Sequence, residues 1–351
     1  MRRSRSLMAI AFTYVAFLAI AFMAGMTALT SVARAQPASD LFRGKTISIV
    51  VGTGDSGVYV IYARILARHW AKYIPGNPNI IVQAMPGGGG LRMGGWLHHV
   101  APRDGTVVGM PVQTVAMAQV LEPKDVRFDV RAWNWLGILT ETRQALVVTP
   151  TAGVRSFEDA RKREVIIGST APGGNLFIVP KLAKELAGAR FKIILGYRGA
   201  ADLDLGIANG ELQGRGGAWS DWKQSYPDWA KSGKIVPLAL TGMERDREAP
   251  DLPLLRELVS NSVDQQVIDF FGQTDVFGRS FALPPGTPRQ VVDLLRTSFE
   301  AAVKDEQLIF DITRGRWTLD SRNWRQAEQA ANHTLNVTPA VVARMQEALA
   351  R

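Results

Sequence analysis

Apolar runs rich in β-branched residues alternate along the chain with runs of helical periodicity. "TISIVV" at 46–51 predicts a strand, and residues 58–73 predict a helix. "NIIVQ" at 79–83 predicts a second strand, which leads through a glycine-rich turn to a helix near 90–99. "TVVGM" at 106–110 predicts a third strand. Such alternation predicts sheets of parallel strands with helices on both faces.

A second set of strands and helices follows the first. Apolar runs predict strands at 145–148, 165–169, 191–195 and 234–240. The stretch from Ser156 to Asp159 resembles a capping box and predicts a short helix. After residue 280 the pattern is helical, and Thr287 followed by Pro288 predicts a helix start. Two such sets and a helical tail predict an α/β fold of two lobes.

The N-terminus has the layout of a bacterial secretory signal peptide. Three arginines lie within the first five residues, and residues 7–29 carry no charge. Ala33-Arg34-Ala35 then provides the small-x-small pattern of a cleavage site before Gln36. We expect export to the periplasm with residues 1–35 removed. A retained anchor in the inner membrane is the alternative, because an apolar run of this length can span a bilayer.

Charge and cysteine content exclude several classes of protein. The formal net charge is +9, and four of the arginines responsible lie in residues 1–35, which leaves +5 for the rest. A surplus this small, without a dense basic run, does not indicate nucleic-acid binding. The chain has no cysteine, which excludes disulfides, thiolate catalysis and cysteine-ligated metals. We also expect no metal at His98 and His99, because adjacent helical side chains point about 100° apart.

The turn "GTGDSG" at 52–57 fits G-x-G-x-x-G between a predicted strand and a predicted helix, which is the context of a dinucleotide-binding turn. Such a site needs an acidic residue about 20 residues further on to bind the ribose. No Asp or Glu occurs between Ser56 and Arg103, so we expect no nucleotide cofactor. The turn still offers backbone N–H groups and a positive helix end to a small anion. A tight turn without any ligand is the other interpretation.

Similar glycine-containing turns follow three further predicted strands, at residues 85–90, 168–175 and 197–200. In open α/β sheets, ligands bind at the carboxyl ends of the strands, where such turns meet. Four turns divided between two lobes predict a cleft between the lobes. We expect an anion there to be held chiefly by backbone N–H groups and hydroxyls of Ser56, Gly57, Ser169 and Thr170. Arg198 is the one ready cation in these turns.

Five segments occur in an order that is specific as a set. They are "KTISIVVGTGDSG", "NIIVQAMPGGGGLRMGGWLHHVAPRDGTVVG", "VIIGSTAPGG", "ILGYRGAADLDLGIANGELQGR" and "FALPPGTPRQVVDLLR". Through them the chain resembles the solute-binding proteins of tripartite tricarboxylate transporters, the TctC/Bug type, over about residues 41–345. The resemblance implies a two-lobed periplasmic-binding-protein fold with mostly parallel sheets flanked by helices. It implies one lobe made of residues 36–138 and 262–351, and a second made of residues 139–261.

The resemblance also implies a function. Proteins of this type bind small solutes, mostly carboxylates, in the cleft and deliver them to a two-subunit membrane permease, without catalysis or a cofactor. We expect a monomer. The residues expected to bind the ligand are Gly54, Ser56, Gly57, Tyr59, Gly88, Gly89, Thr114, Ser169, Thr170, Gly173, Asn175, Tyr197, Arg198, Gly199, Trp219 and Ser220.

The chain departs from similar proteins in the first loop. Val60 stands where they usually have an Asp, and Asp55 is unusual there. The resemblance therefore does not identify a particular ligand. Trp219 is expected to line the cleft, although tryptophan side chains usually pack in cores.

Other interpretations stay open at the level of function. Arg64, Arg68 and Lys72 form a basic stripe at helical spacing, which we interpret as a solvated face, with permease docking as the alternative. A periplasmic ligand sensor for a signalling partner is the first alternative to a transport function. An exported enzyme of unknown reaction is the second, although no catalytic constellation stands out in the sequence.

Overall fold

Two β-sheets with helices packed on them form the part of the chain that a computed structural model describes, residues 41–350 apart from Ser56 and Ala171. The predicted signal peptide and its cleavage site lie outside these residues. The strands are β1 (Thr46–Val51), β2 (Asn79–Ala84), β3 (Val107–Met110), β4 (Asn134–Ile138), β5 (Gln144–Val148), β6 (Val165–Gly168), β7 (Phe191–Ile194), β8 (Gly214–Ala218), β9 (Val236–Leu240), β10 (Ser280–Leu283) and β11 (Arg322–Asn323).

Most helices lie between consecutive strands or in the last quarter of the chain. They are α1 (Val58–Trp70), α2 (Leu91–His99), α3 (Val115–Leu121), α4 (Phe157–Lys162), α5 (Asn175–Glu185), α6 (Ala200–Ala208), α7 (Trp219–Ser225), α8 (Trp229–Ser232), α9 (Ser262–Gly272), α10 (Thr274–Phe277), α11 (Arg289–Ala302), α12 (Glu306–Arg314), α13 (Trp324–Leu335) and α14 (Pro339–Ala350). Within the described range, none of these helices is both long and apolar enough to cross a membrane.

Both sheets are mixed. The first has the strand order β11-β4-β10-β3-β1-β2, with β1 parallel to β2 and β3, and with β10 and β11 antiparallel to β4. The second has the order β7-β6-β8-β5-β9, with β6 parallel to β7 and β8, and with β5 antiparallel to β8 and β9. The parallel strands are joined through helices, whereas β4, β5, β9 and β10 flank the places where the chain passes between sheets. The predicted two-lobed α/β class is confirmed, but the expectation of mostly parallel sheets is wrong, because strands that return from the other sheet pair antiparallel.

The sequence predicts the starts of two helices, α4 and α11, and both can be compared with the structure. Ser156 caps α4 as predicted, because its side chain accepts from the backbone N–H of Asp159 and the Asp159 side chain accepts from the N–H of Ser156. A helix begins directly after Thr287 and Pro288 as predicted, but Thr287 does not cap it. Its hydroxyl donates to the carbonyl of Pro284 at 2.9 Å, and α11 begins at Arg289 without a side-chain cap.

Each sheet has its own apolar core. Trp133, Trp135 and Phe277 pack in the core of the first sheet, with neighbouring ring centroids 5.4–5.7 Å apart. The core of the second sheet includes residues of α9 and α14, among them Phe271 and Met345. Residues after 262 thus contribute to both cores, and the division of the chain into lobes at 139 and 262 stays a prediction.

Two chain segments that connect the sheets are hydrogen-bonded to each other. The backbone N–H of Leu139 donates to the carbonyl of Arg279, and the N–H of Arg279 donates to the carbonyl of Thr140, both at 2.9 Å. The N–H of Thr142 donates to the carbonyl of Asp275 at 2.8 Å. These bonds make a short paired crossing, about which we expect any rotation of the two lobes to take place.

The basic stripe on α1 contacts α12. Arg68 Nη2 lies 3.2 Å from Asp311 Oδ2, and Lys72 forms an ion pair with Asp305. The hydroxyl of Tyr73 donates to Asp305 Oδ2 at 2.6 Å. The stripe is therefore not only a solvated face, because its C-terminal half joins two helices.

Candidate functional site

The glycine-rich loops that follow β2 and β6 meet between the two sheets. A Cβ atom built on Gly89 would lie 3.9 Å from the carbonyl carbon and oxygen of Gly173. Both glycines have positive φ, +61° and +96°, which other residues rarely adopt. At a second point Gln224 Nε2 donates to the carbonyl of Gly315 at 2.9 Å and joins α7 to the end of α12. The lobes are therefore in contact.

The loop after β1 sets the position of Tyr59. Gly57 precedes α1 with φ +103°, and Gly54 and Gly57 are exposed, with no atom within 4 Å of a Cβ built on either. Tyr59 lies in the first turn of the helix, where its hydroxyl oxygen accepts from the backbone N–H of Gln113 at 3.1 Å. The ring is half-buried and fixed at the start of α1. Ser56 lies outside the described residues.

Arg279, directly before β10, stacks on this tyrosine. Its guanidinium carbon lies 4.0 Å from the ring centroid of Tyr59 and 5.7 Å from that of Tyr62. The residue is 3% exposed. Its Nη1 donates to the carbonyl of Gly278 at 3.2 Å, whereas its buried Nε has no hydrogen-bond partner. An unpaired buried cation is costly, so this edge of the guanidinium marks a place for an acceptor.

Asp221, on the helix that follows β8, carries a carboxyl group in the second lobe. It lies in the first turn of α7 and is half-buried. The hydroxyl of Ser220 donates to Asp221 Oδ1 at 3.2 Å. Burial raises the pKa of Asp221, against the opposing effect of the charges on Arg279 and Arg215. The charges of Arg279 and Arg215 thus lower the pKa of Asp221 less than burial raises it.

Two other arginines of the second lobe already have acidic partners. Arg215 Nε and Nη2 donate to the two carboxylate oxygens of Asp204 at 2.6 and 3.0 Å. Arg198 Nε lies 2.7 Å from Asp202 Oδ2, and the Arg198 side chain is 90% exposed. Arg198, the cation that the sequence offers, is thus an exposed and paired side chain. The buried cation with an unpartnered nitrogen is Arg279.

A buried polar network links Tyr59 to the paired crossing. Its members, termed the hinge network, are Gln113, Thr142, Gln144, Thr241 and Asp275. Gln113 Nε2 donates to Asp275 Oδ1 at 3.2 Å, and Thr241 Oγ1 lies 2.6 Å from Asp275 Oδ2. Burial raises the pKa of Asp275 well above its ordinary value, although hydrogen bonds from Thr241 and Gln113 oppose the shift. Because Gln113 also contacts Tyr59, the network connects the site to the hinge.

The loop after β6 contains two predicted residues with different environments. Ser169 is fully buried, and its hydroxyl donates to the carbonyl of Leu176 at 3.0 Å, so this hydroxyl holds the first turn of α5 instead of facing open space. Asn175 begins α5, and its buried Oδ1 has no hydrogen-bond partner. Thr170 is half-buried; its hydroxyl lies 3.8 Å from a Cβ built on Gly174.

The predicted residues Tyr197 and Trp219 have partners within the second lobe. The hydroxyl of Tyr197 lies 3.3 Å from Glu211 Oε2. Trp219 is 2% exposed and packs in the core of the second sheet, with its ring centroid 5.0 Å from that of Trp229. The packing interpretation therefore describes Trp219 better than the expected lining role.

The other predicted residues lie at helix starts or in loops. Gly88, with φ +54°, shares the loop of Gly89 after β2. Thr114 is buried directly before α3 and follows Gln113 of the hinge network. Gly199 precedes α6 in an extended conformation. These positions are consistent with a site between the lobes.

Sequence reasoning missed three residues of this site, Tyr62, Asp221 and Arg279. Asp221 follows the predicted residues Trp219 and Ser220 directly, so the sequence could have indicated it. Tyr62 follows Tyr59 by one helical turn, a spacing that places both rings on one face. Arg279 has no local signal, because only the crossing of the chain brings it to Tyr59.

The side chains of His98 and His99 have different hydrogen-bond partners. Trp133 Nε1 donates to His98 Nδ1 at 3.2 Å, and His99 Nε2 lies 2.6 Å from the carbonyl of Arg127. Within the described residues no group of three His, Asp or Glu side chains is arranged to hold a metal ion.

An open groove of about 1140 Å³ lies apart from the residues described above. It is lined by α1, β2 and the region from α12 to Trp317, and its polar side chains include Arg64, Arg68 and Arg314. All of these elements pack with the first sheet. The groove therefore does not lie between the lobes.

Two α/β lobes whose strand-to-helix loops meet form the fold of periplasmic solute-binding proteins. A TctC solute-binding protein from Polaromonas matches with a TM-score of 0.61 at 17% identity, over 87% of this chain and 98% of that chain. MatC from Rhodopseudomonas palustris with bound malate matches with a TM-score of 0.63 at 16% identity, over 87% and 99%. An R. palustris protein with adipate matches with a TM-score of 0.65 at 17% identity, over 87% and 97%.

Comparisons based on the sequence alone give no match. No protein-family model matches the chain, and no curated protein matches it. The chain has the fold of TctC/Bug-type solute-binding proteins, and at the level of the fold the resemblance drawn from the sequence is confirmed.

Proposed function

We propose that the protein is a periplasmic solute-binding protein that captures a small organic acid between its lobes and delivers it to a two-subunit permease of the tripartite tricarboxylate type. The observation that carries this proposal is Arg279, a buried guanidinium with an unpartnered Nε at the junction of the lobes. Structures of the same fold with malate and adipate support an acidic solute. The protein acts as a monomer, without catalysis.

Binding is tested with a thermal-shift screen of small carboxylates, amides and sugars on the purified protein. A ligand that binds only the folded state raises the melting temperature by mass action. We expect carboxylates to be the class that raises it. A protein stabilised by amides or sugars, and by no carboxylate, contradicts the proposed ligand class.

Delivery is tested in cells that carry a deletion of the gene. We expect uptake of the bound acid to be lost and to return with the wild-type gene. If uptake is unchanged while the transcriptional response to that acid disappears, the protein is a sensor and the transport function is wrong.

Export is tested by mass spectrometry of the protein from the periplasmic fraction. We expect a mature chain that begins at Gln36. A periplasm-facing form that retains residues 1–35 supports the membrane anchor instead.

A further inference from the structure

We propose that the groove lined by α1, β2 and the end of α12 is a docking surface for an extended, acidic segment of the membrane permease. The segment adds as a further strand to the outer edge of β2, and its acidic side chains bind arginines of α1 and α12. This inference rests on the proposed function, to which it adds the surface through which the solute is delivered.

β2 is the outermost strand of the first sheet, and its outer edge has no partner strand among the described residues. The backbone N–H groups of Asn79 and Met85 donate to carbonyls in and next to β1, at 3.1 and 2.8 Å. Because alternate residues of a parallel strand bond to the same neighbour, the N–H and C=O groups of Ile80 and Val82 face away from β1. Both residues line the groove. An unpaired strand edge of this kind is a template for a strand of another chain.

The charge of the groove favours an acidic segment. In the described part of the chain, its charged lining consists of Arg64, Arg68 and Arg314 with a single acid, Asp311. All three arginines are exposed. Arg68 Nη2 lies 3.2 Å from Asp311 Oδ2, whereas Arg64 and Arg314 form no hydrogen bond or ion pair with another described residue. Two guanidinium groups are therefore available to bind carboxylates.

The arginines of α1 are spaced like the side chains on one face of a strand. Arg64 and Arg68 are four residues apart, which is about 6 Å along the helix axis. Alternate residues of a strand lie about 6.6 Å apart and point to the same face. The helix α1 connects the parallel strands β1 and β2, so its axis runs back along them. A strand added to β2 with an acid at every second position therefore brings one carboxylate to each arginine.

The groove lies where a partner can bind while a solute is held. Its lining belongs to elements of the first sheet and contains neither of the loops that meet between the lobes, so a bound solute leaves it accessible. One lining residue, Gly315, is also bonded to the second lobe, because its carbonyl accepts from Gln224 Nε2 at 2.9 Å. A permease segment in the groove therefore contacts a part of the chain that touches both lobes.

The experiment measures uptake of the bound acid by cells that express the protein with its permease, and binding of the acid to the same variants after purification. Arg64→Glu combined with Arg314→Glu reverses both unpaired charges. We expect uptake to fall about tenfold or more, because the new carboxylates repel an acidic segment. The affinity for the acid should stay within about twofold of the wild type, because neither arginine lies in the site between the lobes.

Val82→Pro tests the strand edge separately. Proline is tolerated on an edge strand where the N–H group faces outward, so the fold and the affinity for the acid should persist. The added strand loses a hydrogen bond and meets the proline ring, and we expect uptake to fall here as well. If uptake falls in the arginine variant and not in Val82→Pro, the partner binds by charge alone and the added strand is wrong.

Lys184→Glu combined with Arg127→Glu is the matched control. Both side chains are exposed and lie outside the lining of the groove, and the change in net charge is the same. Uptake by this variant should equal that of the wild type, and an equal loss of uptake contradicts the docking surface. If Arg64→Glu with Arg314→Glu does not fold, Arg64→Gln with Arg314→Gln is measured in the same way.

Other occupants of the groove give other results. A dimer of the purified protein that Val82→Pro dissociates shows that a second copy adds to β2. Binding to phosphatidylglycerol vesicles that is lost in Arg64→Glu with Arg314→Glu shows a membrane surface. Either result contradicts the permease segment.

The outcomes also distinguish this inference from the proposed function. If wild-type cells take up the acid and both groove variants transport it equally well, the docking surface is wrong and the carrier function stands. If wild-type cells take up none of the acid that the protein binds, the carrier function is wrong and this inference falls with it.

Discussion

The buried carboxyl group of Asp275 makes the hinge network sensitive to pH. Burial raises the pKa of this group well above its ordinary value, so the folded protein keeps a proton that the unfolded chain releases above about pH 4. Folding therefore takes up a proton, and the contribution of Asp275 to stability falls as pH rises from about 4 towards the folded-state pKa. A neutral side chain of the same shape lacks this pH dependence.

We expect Asp275→Asn to gain stability relative to the wild type as pH rises. At about pH 4 the two proteins should be similar, and above it each unit of raised pKa is worth about 1.4 kcal/mol in favour of the variant. Urea unfolding at several pH values between about 4 and 7 measures the difference. A variant that is less stable by the same amount at every pH shows that Asp275 is ionised in the folded protein.

At the residue scale the sequence predicts the loops of the site better than its charges. Gly89 and Gly173 lie where the two lobes approach, and Gly57 begins α1, as expected from strand-to-helix turns. Arg198 was expected to be the cation of the site. Its side chain instead forms an exposed ion pair with Asp202, four residues further on. Arg279 was not predictable, since its contact with Tyr59 spans distant segments of the chain.

At the scale of elements, Asp305 holds α1 against α12. Its carboxylate accepts from the backbone N–H groups of Gln307 and Leu308 at 2.9 Å and contacts Lys72 and Tyr73. Burial acts to raise the pKa of Asp305, but hydrogen bonds from Lys72, Tyr73 and the backbone outweigh it and hold the pKa below its usual range. The ionised group therefore stabilises the fold above about pH 4, and this contribution is lost as pH falls through the lowered folded-state pKa.

We expect Asp305→Ala to lower the free energy of unfolding by about 2 kcal/mol or more at neutral pH, because a helix cap and a paired, buried carboxylate are lost together. Asp293→Ala, which removes an exposed ion pair, should cost less than about 0.5 kcal/mol. Denaturant unfolding compares the two variants. The difference between Asp305→Ala and the wild type should shrink below about pH 4; a constant difference contradicts the role of the ionised group.

The sequence predicts strands that contain a clear run of apolar side chains. It does not predict a strand whose position depends on the close approach of two backbones. β1, β2, β3, β6 and β7 lie within about one residue of the ranges that their apolar runs predict. β8 reads "GRGGA" and has no apolar run. A Cβ built on Gly214 would lie 2.4 Å from the carbonyl oxygen of Val147, so this strand needs glycine for close pairing. Such a requirement is visible only when the neighbouring strand is known.

At the scale of the whole molecule, the loops that follow β2 and β6 touch each other between the lobes. Gly89 and Gly173 approach with no side chain between them. We expect a ligand that binds between the lobes to enter past this contact. The chain has no cysteine of its own, so a covalent link can be placed there without competing thiols.

We expect the double variant Gly89→Cys, Gly173→Cys to form a disulfide across the loops after a small shift of the backbone, because a Cβ on residue 89 lies 3.9 Å from the carbonyl of Gly173 while a Cβ on residue 173 meets no atom within 4 Å. The oxidised, ligand-free protein should not bind the acid, and reduction should restore binding. Both sites have positive φ, so each substitution costs about 1 kcal/mol of stability. Calorimetry with and without reductant, on the double variant and on each single variant, measures the effect. If the disulfide-linked protein binds the acid as tightly as the reduced protein does, the ligand does not enter past this contact.

Because Arg279 lies on the paired crossing, we expect it to be the residue that a ligand contacts first. A group at a pivot moves least when two lobes rotate, and Arg279 is bonded through its backbone to Thr140 within that pivot. We therefore expect a solute that binds this guanidinium to keep the contact while the lobes move. Substitutions at Arg279 should slow association of the solute.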